Sequence, residues 1–143
     1  MPLKAVAPEL WQLGGLPPNA INVYLAGDVL IDAGTRQARR RILRQVIDRP
    51  LSLVCLTHVH PDHQGAAASV CEARGVPLSC HADDVDAMEG RRPMQSAHPD
   101  HPINTAIKSL WEGPPREVDR VLGGETRSVA TGSSMPPDTQ PER

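Results

Sequence analysis

Leu51-Ser52-Leu53-Val54-Cys55-Leu56-Thr57-His58-Val59-His60-Pro61-Asp62-His63-Gln64-Gly65 is the stretch that decides how this chain is read. Its first seven residues form a nearly continuous apolar run of strand length, the pattern of a central strand covered on both faces. Directly behind it, His58, His60, Asp62 and His63 put three imidazoles and a carboxylate within six residues. Imidazole nitrogen and carboxylate oxygen are ligands that suit Zn²⁺, with Fe and Mn as alternatives. Residues two apart in an extended segment point to the same side, so His58 and His60 can share one metal, while the turn at Pro61 swings Asp62 and His63 toward a second. A lone His-x-His is a weak signal. Four such residues at a strand end, holding three of the chain's six histidines, outweigh the alternative of a chance His-rich turn.

Downstream, Gln64 to Arg74 reads as a helix that Gly75 is placed to end, and Val76 to Cys80 as the next strand. Strand, loop, helix, strand is the order of a right-handed βαβ unit with its functional loop at the strand's carboxyl end. A short helix is expected over Ala82 to Glu89, with Asp83 and Asp84 in its first turn. Upstream, strands over Ile21 to Ala26 and Val29 to Ala33 are joined by a tight turn at Gly27-Asp28. From Arg36 to Arg49, Ala38, Ile42, Leu43, Val46 and Ile47 make one helical stripe, with Thr35 as N-cap and Pro50 as stop. Arg36, Arg40 and Arg44 line its other face; a solvated surface explains them better than a phosphate site. No stacking aromatics accompany them, which argues against a nucleic-acid partner.

Beyond Gly90 the chain is broken by Pro93, Pro99, Pro102, Pro114 and Pro115, leaving one short helix from Ile103 to Trp111 and a strand over Val118 to Leu122. From Gly123 to Arg143 apolar periodicity is lost, and residues 123–143 are expected to be a disordered tail behind a domain of residues 1–122. The length of 143 residues suits a single domain, and 15 basic against 17 acidic residues exclude a polycation. With no Phe, one Tyr and two Trp, the core must be built from Val, Leu, Ile and Ala. Cys55, Cys71 and Cys80 are odd in number and form no C-x-x-C pair, so they read as buried thiols in a reducing compartment. Neither an N-terminal h-region nor an 18-residue apolar run is present, so a cytoplasmic protein without a membrane partner is expected.

Thr57-His58-Val59-His60-Pro61-Asp62-His63-Gln64-Gly65 resembles the T-H-x-H-x-D-H-x-G motif of the metallo-β-lactamase superfamily. Asn22-Val23-Tyr24-Leu25 to Ile31-Asp32-Ala33-Gly34-Thr35 resembles that family's opening strands and their D-x-G-T turn, and His63 after Asp62 is similar to its glyoxalase II and lactonase branches. The resemblance covers roughly residues 8 to 90. It implies an α/β chain forming the N-terminal half of a four-layer αββα sandwich. His58 and His60 would then be ligands of one metal, Asp62 and His63 of the other, with Asp62 also the candidate catalytic residue. One or two Zn²⁺ ions, or Fe or Mn, are the implied cofactors. Asp32 becomes a candidate for orienting a ligand from behind, against the plainer role of a turn carboxylate. A small-molecule substrate with an ester, thioester, lactone or similar bond follows from the family.

Three further ligands that the family pattern requires, a His in a G-H-T-x-G-H-like segment, a bridging Asp and a final His, are not recognisable. His81 reads as a neighbour of its own acidic helix start, and His98 and His101 sit in a proline-rich loop. The resemblance therefore implies a metal-dependent hydrolase in truncated form, whose activity the missing ligands put in question, with a non-catalytic half-domain that binds metal or a partner as the alternative. Half a sandwich leaves an apolar sheet face open to self-association. Met135-Pro136-Pro137-Asp138-Thr139-Gln140-Pro141-Glu142, read from each third base, is compatible with Ala-Pro-Gly-His-Thr-Ala-Gly, which resembles the missing motif. A frameshifted tail is the corresponding expectation.

Overall fold

The computed structural model describes residues 3–14, 22–94 and 102–123. Its centre is the hairpin closed at Gly27-Asp28, where β3 (Tyr24–Ala26) and β4 (Val29–Ile31) pair antiparallel with Leu25 opposite Leu30. Before it come β1 (Lys4–Ala7) and β2 (Leu10–Gln12), also antiparallel. After it, β5 (Leu53–Cys55), β6 (Leu78–His81) and β7 (Arg120–Leu122) are added in parallel, completing a seven-stranded sheet in sequence order. The change of sense at β4 follows from the connections. A two-residue turn can only reverse the chain, whereas a parallel neighbour needs a crossover, here α1 (Arg39–Gln45) between β4 and β5 and α3 (Ala67–Arg74) between β5 and β6. Consequently β4, β5 and β6 all end at one edge of the sheet.

Register puts Leu25, Leu30, Val54 and Leu78 in one row, and each is at 0% exposure. Ile42 and Val46 from the first crossover, and Val70 and Cys71 from α3, are sealed with them in one hydrophobic core. On the other face, Tyr24, Ile31 and Cys55 share a row, and so do Ala26, Val29 and Leu53; all six are only partly buried. Here the structure corrects the expectation for Leu51 to Thr57: the strand is three residues long and alternates, with Val54 sealed and its neighbours half-covered. The run is apolar almost throughout, so its composition does not reveal which face is the less buried.

Other elements are shorter than their hydrophobic patterns suggest. β4 ends at Ile31 because Asp32 takes φ 68°, outside the extended region. The helix expected over Arg36 to Arg49 is a 3₁₀ turn at Arg36–Ala38 followed by α1, and Ile47, placed in its buried stripe by periodicity, is 68% exposed beyond the helix end. Thr35 has the extended backbone of an N-cap, yet its side chain makes no capping bond; the Thr35 carbonyl accepts the Ala38 N–H instead. The helix expected over Gln64 to Arg74 is two pieces, α2 (Pro61–Gln64) and α3, separated at Gly65-Ala66 and ended at Gly75 with φ 64°. The segment after β6 is likewise a 3₁₀ turn at Ala82–Asp84 followed by α4 (Val85–Met88). α5 (Pro102–Trp111) occupies the expected place in the proline-rich region and packs against α2. β1 and β2 escaped the sequence reading: both are short, neither has a fully buried residue, and Pro8-Glu9 interrupts them, with Glu9 at φ 57°.

Beyond the core, Arg74 fastens the first crossover. Its Nη1 donates to the Val46 carbonyl at 2.9 Å, which also accepts the Arg49 N–H, and its Nη2 donates to the Arg49 carbonyl at 2.8 Å, so the guanidinium braces the turn past the end of α1. Arg49 in turn lies over the Trp11 ring at 4.2 Å, tying β2 to the same corner. No helix among the described residues is long and apolar enough to cross a membrane. The tail from residue 124 onward, with the frameshift expectation placed on it, lies outside the described residues, as do His98 and His101.

Candidate metal centre

The carboxyl ends of β4 and β5 meet at one carboxylate. Ile31 is in register with Cys55, and the Asp32 N–H donates to the Cys55 carbonyl at 2.8 Å, so Asp32 lies beside the residues that lead out of β5. Asp32 is 6% exposed and accepts three hydrogen bonds: the Thr57 N–H to Oδ1 at 2.8 Å, the Thr57 hydroxyl to Oδ2 at 2.7 Å and His63 Nδ1 to Oδ2 at 3.0 Å. A buried carboxylate needs such partners, and the positive φ of Asp32 aims the side chain at them. Asp tolerates that backbone region better than most L-residues.

The histidine tautomers follow from this wiring. A carboxylate only accepts, so the single hydroxyl proton of Thr57 is committed to Asp32. Thr57 Oγ1 can then only accept from His58 Nδ1, 3.3 Å away. His63 Nδ1 likewise donates to Asp32. Both rings therefore turn the Nε2 lone pair outward when neutral, the form in which imidazole binds a metal. The hydrogen bond to Asp32 raises the His63 pKa; burial opposes it, and the charges of Asp32 and Asp62 add to the rise.

His58, His60 and His63 form a triangle with ring centroids 5.6, 5.5 and 6.4 Å apart, and Asp62 Oδ2 lies 3.7 Å from His63 Nε2. With zinc–nitrogen bonds of about 2 Å, two rings on one tetrahedral ion lie roughly 5 Å centre to centre, so the donor types suit zinc while the rings stand farther apart than a shared ion would hold them. All four motif residues are thus brought together. His58 is as close to His63 as to His60, so ring spacing alone does not divide the cluster into two pairs. Among the described residues no group of three or more His, Cys, Asp or Glu side chains is arranged to hold a metal ion as it stands. His81 serves its own turn, with Nδ1 accepting the Asp83 N–H at 3.0 Å.

Two participants escaped the sequence reading. Thr57 belongs to the T-H-x-H-x-D-H-x-G motif, and its position directly before His58 is the signal the sequence offers for it. Gln64, which the sequence pattern makes the first residue of a helix, is at 0% exposure and bonds to the segment after α5. A fully buried amide has no periodicity signature. The three thiols are free, Cys71 and Cys80 buried and Cys55 half-buried; burial pushes Cys71 up to about 11, Cys80 up to about 12 and Cys55 upward.

Residues 16–139 match the family model of the metallo-beta-lactamase superfamily. The probable metallo-hydrolase YflN of Bacillus subtilis (strain 168) is 34% identical over 134 residues, which are 85% of this chain and 50% of that protein. Similar solved structures include BJP-1, a subclass B3 metallo-beta-lactamase of Bradyrhizobium japonicum, at 20% identity and TM-score 0.67, covering 90% of this chain and 48% of that one. The class B3 di-zinc metallo-beta-lactamase LRA-12 from an Alaskan soil metagenome is 16% identical with TM-score 0.65, covering 92% and 49%. These likenesses bear out the mixed α/β half-sandwich architecture, and the chain spans about half the length of the relatives it matches.

Proposed function

Because this chain belongs to the metallo-β-lactamase superfamily, we propose that it carries the first ligand cluster of a zinc-dependent hydrolase, held by His58, His60, Asp62 and His63. The observation that carries this is the Asp32 relay, in which one buried carboxylate, directly and through Thr57, engages Nδ1 of His63 and His58 and leaves Nε2 as the ligating nitrogen of both rings. Zinc held there supplies Lewis-acid activation of water and polarisation of a scissile carbonyl. The chain's own part is to hold neutral imidazoles in the ligating tautomer. Asp62, 38% exposed, adds a carboxylate next to His63 that can also hold a proton during turnover. The bond cleaved is an ester, thioester or lactone, by resemblance to the branches that keep His63.

A second reading has its own support. The segment from His58 to His63 supplies four donors, yet among the described residues no group of three or more is arranged to hold a metal ion, which favours a half-domain that binds metal or a partner without turnover. Metal content and activity, measured together on the full chain, separate the two. Retained zinc with hydrolysis of a generic thioester or lactone, both lost in His58→Ala, supports the enzyme. Zinc without turnover supports the half-domain. If the parent retains no more zinc than His58→Ala, metal binding fails in both readings.

A further inference from the structure

Gln64 follows the histidine cluster directly, and its side chain is sealed from solvent. A primary amide offers two donors and an acceptor oxygen. Nε2 donates to the carbonyls of Gly113 at 3.0 Å and Pro114 at 3.2 Å, while Oε1 accepts the Gly113 N–H at 3.0 Å. The side chain thus pairs with Gly113 much as a neighbouring strand would, across 49 residues of sequence. Backbone contact here is equally close. A Cβ at Gly113 would overlap the Gly65 carbonyl oxygen, and one at Gly65 would overlap the Thr35–Arg36 peptide. The segments that follow β4, β5 and α5 therefore meet at two glycines immediately behind α2.

α2 is one short turn carrying Asp62 and His63. The Ala33 N–H donates to the His63 carbonyl and the Gly65 N–H to the Gly34 carbonyl, both at 2.8 Å, which ties α2 to the loop after β4. The Gln64 amide ties it to the segment after α5, and Gln37 Nε2, donating to the Leu110 carbonyl at 2.8 Å, holds α5 to the turn after β4. We infer that Gln64 is a positioning residue for the metal centre, clamping α2 so that Asp62 and His63 are held where a metal needs them. This rests on the ligand assignment proposed above. Without the amide, the buried N–H and carbonyl of Gly113 lose their partner, and α2 relaxes before a metal arrives.

Cobalt(II) titration of the full chain, followed by its visible absorption, tests the clamp. Gln64→Leu is expected to weaken Co(II) binding by about 10- to 100-fold and to change the absorption bands. Arg74→Ala, which loses two hydrogen bonds at the far end of α3, should keep the parent's affinity and spectrum. If Gln64→Leu does not fold, Gln64→Glu takes its place, because it keeps the acceptor for the Gly113 N–H and loses the donor to both carbonyls. A Gln64 variant that binds Co(II) as the parent does, or an equal loss in Arg74→Ala, overturns the clamp and leaves the ligand assignment standing. A parent that binds no Co(II) overturns the ligand assignment, and the clamp with it.

Discussion

Asp32 concentrates the chemistry of this chain in one residue: it ends β4, takes a positive φ and accepts from both Thr57 and His63. Asp32→Asn tolerates the same backbone but loses the charge that these donors bond to, and hydrogen bonds to charged groups contribute about 1.5–3 kcal/mol. Urea unfolding of the metal-free chain should show a loss of about 2 kcal/mol, and zinc affinity should fall about 10- to 100-fold. An unchanged midpoint and affinity would reduce Asp32 to the plain turn carboxylate that was its alternative reading. Its candidacy was legible from the Ile31-Asp32-Ala33-Gly34 turn, but its partners were not. They lie 25 and 31 residues away and become neighbours only once β4 and β5 are paired with Ile31 beside Cys55.

At the scale of elements, periodicity located helices and tertiary contacts set their ends. Three alanines in a row hid the break between α2 and α3, because alanine suits a helix with or without the interruption that the Gly65 contact imposes. α1 is short, and its crossover depends on a residue from another helix, so Arg74→Ala should cost about 1.5–3 kcal/mol by urea unfolding while leaving metal binding intact. A loss within about 0.5 kcal/mol, the range of an ordinary surface substitution, would mean that the two carbonyls are served equally well by water. The thiols on α3 and β6 predict a pH effect. Cys71 and Cys80 titrate at about 11 and about 12 when folded, above the ordinary value of 9.0. Their buried, neutral thiols favour the folded chain fully below pH 9, and that contribution fades as pH rises through 11 and 12. Cys80→Ala should therefore flatten the alkaline fall in stability measured between pH 8 and pH 11. Native-state alkylation at pH 8 should label Cys55 ahead of Cys71 and Cys80, and the reverse order would contradict their burial.

For the whole molecule, the sequence order of strand, loop, helix and strand was enough to place the histidine-rich loop at the sheet's carboxyl edge, since a parallel pair must cross over and its crossover has a preferred hand. Whether a strand is covered on one face or two is not written in an apolar run, and β5 shows the consequence: Leu53 and Val54 are equally apolar, but only Val54 is sealed. Two single substitutions separate these faces. Val54→Lys buries an unpaired ammonium between the sheet and α3 and should cost about 4 kcal/mol or more, enough to prevent folding of a marginally stable domain. Leu53→Lys keeps its charge at the half-covered surface, where the long stem can lie along the sheet and the ammonium reach water, so a cost of about 1 kcal/mol is expected. Equal costs in urea unfolding would mean that the second face is as closed as the first. The same Leu53→Lys chain tests self-association through this face: sedimentation that depends on concentration in the parent and not in the variant places the contact there, because an isolated charge opposes burial against a second apolar sheet.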